Sequence, residues 1–480
     1  MILILKRTFL YNPMPDVYAK LLGITFSLLI LGQAFLVRRR VGTWLFPACI
    51  FGLLWFAFTF IPMVVLIAAP VNPLAIGYIL LCCLAVSGVG LLFGWKSAFL
   101  RNSEKSHSGD KVYDNGFLRT TFFVVSGLAI LFVAFDLLEQ GFSLNAVVSD
   151  IQGMANQYSI LRSTGQISSN IFGQLSLGFT YIGAILGGLM IADARPGMQR
   201  RLVIVFSLLP SIAIMLTQSA RGALHLSLGY FYGGVLVSRI QAANMTLFSK
   251  KAVRPMITYG SILLVLATIS FLTRGLFGVS DANQIGSGLM RVSSSYLFGS
   301  LFAYSDWFSY WTGGVSKFVY SNPGDTYGFF TFSAAFNFFG STRMLPTGVF
   351  DEVFEHGDLV ASNIYTIFRS LVTDFGLVGC IAYMAVTSFV FHLAYYTMLI
   401  NKRPVLGASL FIVMVAYFWQ SYLGSLFVYN NSYACFGLLW IILFVNSFKR
   451  GSPTAELQKV KLPRLARLPY PYRRVESFRR

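Results

Sequence analysis

Long apolar runs separated by shorter polar segments dominate the chain. A run of about 17–25 apolar residues is long enough to cross a bilayer as a helix. Such runs lie near 20–37, 44–69, 74–95, 120–138, 170–192, 202–219, 222–238, 256–272, 376–400, 405–427 and 433–448, which gives eleven expected spans. Helices are the expected form, because lipid offers no partner to an exposed backbone N–H or C=O. The opening stretch MILILKRTFLYNPMP lacks an apolar core followed by a small-residue cleavage site, so no cleavable signal peptide is expected.

Two gaps between spans are long, 139–169 and 273–375. Gaps above about 15 residues are usually functional or disordered. The second is rich in aromatic residues, which argues for a folded lid. In SYLFGSLFAYSDWFSYW, Leu297, Leu301, Tyr304, Phe308 and Trp311 fall on one helical face, with Ser300, Asp306 and Ser309 on the other. That pattern predicts an interfacial helix on the outer leaflet. FFTFSAAFNFF, at 329–339, is too short to span and is expected to be re-entrant or interfacial. The expected organisation is spans one to eight over 1–272, a large folded outer loop over 273–375, spans nine to eleven over 376–448, and a basic tail over 449–480. The expected fold class is thus an all-α polytopic membrane protein.

Charge orients this layout. Only 11% of the residues are charged, against about 25% in soluble domains. With eleven spans, the loops at 38–40, 96–119, 194–201, 239–255 and 401–404 and the tail fall on one side and hold 27 of the 37 Lys and Arg. The opposite side holds 12 of the 18 acidic residues. The positive-inside rule then predicts a cytoplasmic C-terminus and an outward-facing large loop. The net charge of +19 follows from this sorting, and no nucleic-acid motif accompanies it. The tail KLPRLARLPYPYRRVESFRR is expected to lie on the anionic inner leaflet, so the bilayer is itself a partner. Cys49, Cys82, Cys83, Cys380 and Cys435 all fall inside expected spans, without metal-ligand spacing, and read as packing residues. No Walker A loop, GxSxG elbow, HExxH pair or dinucleotide fingerprint is present, and no cofactor or metal is expected.

Three stretches could carry chemistry. In LTQSARGALHLSLG, two apolar runs meet at Gln218, Ser219, Arg221 and Gly222 with almost no loop. Arg221 could snorkel to headgroups or bind an anion at a helix N-terminus, with the Gly222 amide adding a donor. His225 lies one turn deeper and reads as a packing residue or a base. The outer loop supplies Arg274, Arg291, Arg343 and Arg369, and RMLPTGVFDEVFEHGD concentrates four carboxylates beside His356. A solvated loop explains most of those carboxylates. The third stretch, NIYTIFRSLVTDFGLVG at 363–379, brings Asn363, Tyr365, Arg369 and Asp374 to the start of span nine. Asn363 and Asp374 are candidate helix caps, and Asp374 is also a candidate base.

These stretches resemble the O-antigen polymerases, the Wzy-type oligosaccharide repeat-unit polymerases of bacterial inner membranes. SARGAL at 219–224 is similar to that family's Ser-x-Arg-Gly turn, MLPTG at 344–348 to its Pro-Gly segment, and 363–379 to its Asn-x-Tyr-Thr … Asp-Phe-Gly-x-x-Gly stretch. The resemblance covers the order of elements along nearly the whole chain. It implies a GT-C-like glycosyltransferase that moves a growing glycan from undecaprenyl diphosphate to the next lipid-linked repeat unit, with a chain-length regulator as a further partner. It implies substrate-binding roles for Arg221, Gly222, Arg274, Arg291, Arg343, Asn363, Tyr365 and Arg369, and leaves His356, Asp374 and His225 as candidate bases. Two other readings stay open: an O-antigen ligase acting on the same carrier, and a non-enzymatic flippase or transporter. A transporter should carry paired broken helices and charges near the midplane, whereas the charges here gather in one outer loop.

Overall fold

The computed structural model describes residues 16–106, 112–167 except 114, 170–191, 197–247, parts of 257–268, 282–346 except 315, 317, 322, 323 and 325, and 348–449. About half of the expected span 256–272 falls outside the described residues, and Arg274 and the tail beyond Lys449 fall wholly outside them. Within the described part, fifteen α-helices and one short hairpin make up the fold. They are α1 (Asp16–Val41), α2 (Pro47–Val65), α3 (Pro73–Gly90), α4 (Trp95–Ser106), α5 (Gly116–Glu139), α6 (Leu144–Ser149), α7 (Ile151–Ser163), α8 (Ile171–Ile191), α9 (Met198–Gln218) and α10 (Arg221–Gln241). Then follow α11 (Ala282–Trp311), α12 (Phe329–Phe338), β1 (Phe354–His356), β2 (Val360–Ser362), α13 (Ile367–Ile400), α14 (Val405–Gln420) and α15 (Asn430–Lys449).

Eight helices are long and apolar enough to cross a membrane: α1, α2, α3, α5, α8, α9, α13 and α15. The protein is thus a polytopic membrane protein with an all-helical frame. Two other expected spans fold as helices that fall short of that description. α14 has 16 residues and is buried along almost its whole length, and at about 1.5 Å per residue it reaches only about 24 Å. It ends at Gln420 because Ser421–Gly424 turns the chain into a 3₁₀ segment at Leu426–Val428. α10 lies inside the bundle, where Gly233 and Gly234 bring backbones together and lower its hydrophobicity. A Cβ on Gly234 would stand 2.5 Å from the Ile185 carbonyl oxygen of α8, the close approach that small residues permit between membrane helices.

Two polar side chains at membrane depth find partners inside the protein. Lys20 of α1 donates to the Leu66 carbonyl at 3.1 Å and to Ala69, closing the C-terminal end of α2 with a cation where the helix dipole favours one. His392 of α13 lies among Phe46, Phe93 and Trp95, its Nδ1 2.8 Å from the Ser388 carbonyl.

The described part of the 273–375 segment is folded, with one departure from its expected pattern. The expected polar face of α11 is partly enclosed by protein. Ser300 and Ser305 are buried together with Leu301, Tyr304 and Phe308. Ser305 and Ser309 accept hydrogen bonds from the Asn72 backbone N–H and side-chain amide at 2.6 and 2.9 Å. On another face, Ser295 accepts from the Ala361 N–H at 2.9 Å. The helix is therefore wedged between the bundle and the β1–β2 hairpin, whose register pairs Phe354 with Ser362 and His356 with Val360.

Candidate functional site

The Gln218–Arg221 turn joins α9 to α10 in two residues. It does so because Ser219 adopts left-handed backbone, φ 54°, a conformation that side chains other than glycine rarely take. Arg221 is thereby the first residue of α10, where the orphan N–H groups and the positive end of the helix dipole lie. Its guanidinium carbon sits 4.8 Å from the centre of the Tyr296 ring of α11. Gly222 beside it is exposed, with open space where a Cβ would be. One turn on, the half-buried His225 ring stacks on Trp419 of α14 at 5.0 Å and 20°. Trp419 also donates its indole N–H to the His225 carbonyl at 2.9 Å. The His225 Nε2 is buried and has no hydrogen-bond partner among the described residues. A cation, an exposed amide, an imidazole and two aromatic faces thus converge at one helix N-terminus.

The N-terminal half of α11 carries a further candidate. Arg291, half-exposed, lies 3.8 Å from the exposed Asp358 carboxylate in the hairpin turn. His356 ends β1 beside it, partly exposed.

Arg369 and Asp374 form a second assembly. Arg369 is 1% exposed. Its guanidinium carbon lies 3.7 Å from the Phe350 ring centre, 4.0 Å from Tyr365, 5.2 Å from Tyr320 and 5.5 Å from Trp307. Its Nη2 donates to Glu352 Oε2 at 2.9 Å. The other Glu352 oxygen accepts from the Ser321 N–H at 2.8 Å and hydroxyl at 2.5 Å, and the Tyr365 hydroxyl donates to the Glu352 carbonyl at 3.0 Å. Burial alone would raise the Glu352 carboxyl, but the Ser321 donors and the Arg369 charge outweigh it and hold the group below its ordinary value. Burial pushes the Tyr365 phenol up to about 12, so it faces the cation as a neutral ring. This box ties α11, the 318–321 segment, the 350–352 segment and α13 together.

Asp374 caps a helix other than its own. Its carboxylate accepts from the Thr326 hydroxyl at 2.5 Å, the Phe330 N–H at 3.1 Å, and the Thr331 N–H and hydroxyl at 2.7 and 2.6 Å. It therefore neutralises the N-terminus of α12 and fixes that short apolar helix against α13. Two residues later Gly376, at φ 68° and ψ 179°, kinks α13. The expected start of span nine at 376 is this kink; the helix itself opens at Ile367.

The stretches at 344–348 and 363–379 meet in space. Gly348, at φ 118°, approaches Asn363 so closely that a Cβ would stand 2.8 Å from the Asn363 amide nitrogen. Arg343 is exposed and packs over Phe329 at 4.3 Å, on α12. The structure thus groups Arg221 and His225 with Tyr296 and Trp419, and places Arg291 beside the β1–β2 hairpin to which His356 belongs. It groups Asn363, Tyr365, Arg369 and Asp374 in a second, mostly buried cluster. Tyr296, Trp419 and Glu352 were not singled out by the sequence. Only the four-residue spacing of Arg221 and His225 hinted that a neighbouring helix must meet that face. No family model, curated protein or solved structure matches the chain.

Proposed function

We propose that this protein is a glycan polymerase of the bacterial inner membrane. It would join undecaprenyl-diphosphate-linked repeat units at its outer face, with its C-terminus in the cytoplasm and the 273–375 loop outside. The observation that carries this reading is Arg221: a cation at a helix N-terminus, backed by Tyr296 at 4.8 Å and followed by an exposed glycine amide. A lipid-borne diphosphate needs such donors where it leaves. At about 4 Å and an effective dielectric of about 20, one charge pair contributes about 4 kcal/mol before desolvation. Stabilisation of charge that develops on departure lowers the barrier, whereas equal binding of substrate and transition state does not.

The acceptor hydroxyl needs a base. Asp374 accepts four hydrogen bonds at the start of α12, which leaves it poorly placed to receive a proton. His225, one turn from Arg221 with its Nε2 unengaged, takes that role in this proposal. Trp419 holds the imidazole in place and offers a face to a sugar ring. Arg369, boxed by aromatics and paired with Glu352, serves as a fastener of the outer loop.

Arg221→Ala and Arg221→Lys, compared at equal membrane abundance, test this reading. Polymer is expected to vanish in the first and to fall to a trace in the second, because lysine lacks the planar fork that grips phosphate oxygens in pairs. Near-normal polymer from Arg221→Ala would return Arg221 to a headgroup-snorkelling role.

A further inference from the structure

We infer that Asp136 is a positioning residue that holds the Gln218–Arg221 turn; the inference rests on the role proposed for Arg221. Asp136 lies in the last turn of α5 and is 4% exposed. An ionisable side chain at membrane depth is expensive and marks function, with a partner that can be named. Here one carboxylate oxygen accepts from the Asn170 amide at 2.7 Å and the other from the Gln218 amide at 2.8 Å. Asn170 in turn caps α8, accepting from the Gly173 N–H at 2.7 Å. One buried carboxylate thus ties the ends of α5, α8 and α9.

Gln218 is the last residue of α9, and the strained Ser219 follows it directly. Strained backbone persists only where its surroundings over-determine it. Two contacts do so here. Asp136 grips the residue before Ser219, and the Ser219 hydroxyl donates to the Ala155 carbonyl of α7 at 3.3 Å. Beneath them Ala223 packs with Val133, Leu137, Tyr158 and Ile214. The direction in which Arg221 leaves the turn is therefore set by a carboxylate on a different helix. Asp136 acts through Gln218, accepting two amide hydrogen bonds without touching the substrate.

The test uses the full-length protein in lipid nanodiscs, with Asp136→Ala, Asp136→Asn and Gln218→Leu. Hydrogen exchange of the amides from 218 to 224 is read without substrate, and polymer is measured in cells at equal abundance. Loss of a hydrogen bond to a charged acceptor should speed exchange at the turn about tenfold in Asp136→Ala and Gln218→Leu. Polymer should fall by a similar factor in both. Asp136→Asn should stay within about twofold of wild type, because a flipped Gln218 amide can still bond to it. Gln218→Leu leaves the Asp136–Asn170 bond in place, so it reports on the turn even if Asp136→Ala inserts poorly. Unchanged exchange at 218–224 in Gln218→Leu would overturn the inference, as would Asp136→Asn as damaging as Asp136→Ala. A wild-type protein that makes no polymer would instead defeat only the proposed reaction, since the exchange measurement does not depend on it.

Discussion

Removing one member of the Arg369–Glu352 pair should destabilise the fold far more than removing both. In Glu352→Ala, Arg369 stays 1% exposed inside its box of four rings, and it loses its 2.9 Å carboxylate. Stranding one partner of a buried pair costs about 3–5 kcal/mol. The Glu352 side chain keeps 17% exposure, which lets water reach the site and places the expected loss near the lower end, about 3 kcal/mol. Arg369→Met with Glu352→Gln removes both charges, keeps an apolar filler among the rings, and should cost about 1 kcal/mol or less. Thermal unfolding in detergent, followed by tryptophan fluorescence, compares the three proteins; Trp307 in the box is a local reporter. Acid adds a second axis. Because the folded Glu352 carboxyl is held below its ordinary value, its stabilisation is fully present above the unfolded value of about 4.3. It is lost as pH falls through the folded value. Wild type should therefore shed this increment below about pH 4, and the double variant should not. The same double variant should keep making polymer. A double variant as unstable as Glu352→Ala would refute the reasoning about the stranded cation. A stable double variant without polymer would show that Arg369 meets the substrate.

Two further outcomes are expected. Asp374→Asn places an NH₂ group against donors from Thr326, Phe330 and Thr331. It should destabilise by about 2–3 kcal/mol and free α12, seen as faster proteolysis near Phe338–Gly340. A reporter fused at Arg480 should read cytoplasmic and one inserted at Gly324 should read periplasmic; a cytoplasmic signal at Gly324 would remove every outer-face role argued above.

Spans were legible where a helix is long and apolar through most of its length. Eight runs met that condition in sequence and in structure. α10 and α14 were harder to read, since protein surrounds them and their glycines and length answer to neighbouring helices. α11 misled for a related reason. Its serines read as a wet face, yet they bind Asn72 and Ala361 in protein-lined seams. Arg369 stood out as a cation beside an apolar run, with Tyr365 four residues before it, but its partner Glu352 and the other three rings come from separate segments that no local pattern links. Asp374 fitted a cap by residue type, while the capped helix lies some forty residues earlier in the chain. The Arg221 turn was the most legible part of the candidate site, because two apolar runs with no loop between them force a sharp polar corner.

The central claim, joining of lipid-linked repeat units, is tested most directly by deleting the protein and resolving surface lipopolysaccharide together with the extracted undecaprenyl-diphosphate pool. Surface lipid that carries a single repeat unit with no ladder is expected, restored by the wild-type chain and not by Arg221→Ala. Bare lipid core with long polymer accumulating on the carrier would contradict it and indicate a ligase, and single units trapped on the inner leaflet would indicate a transporter.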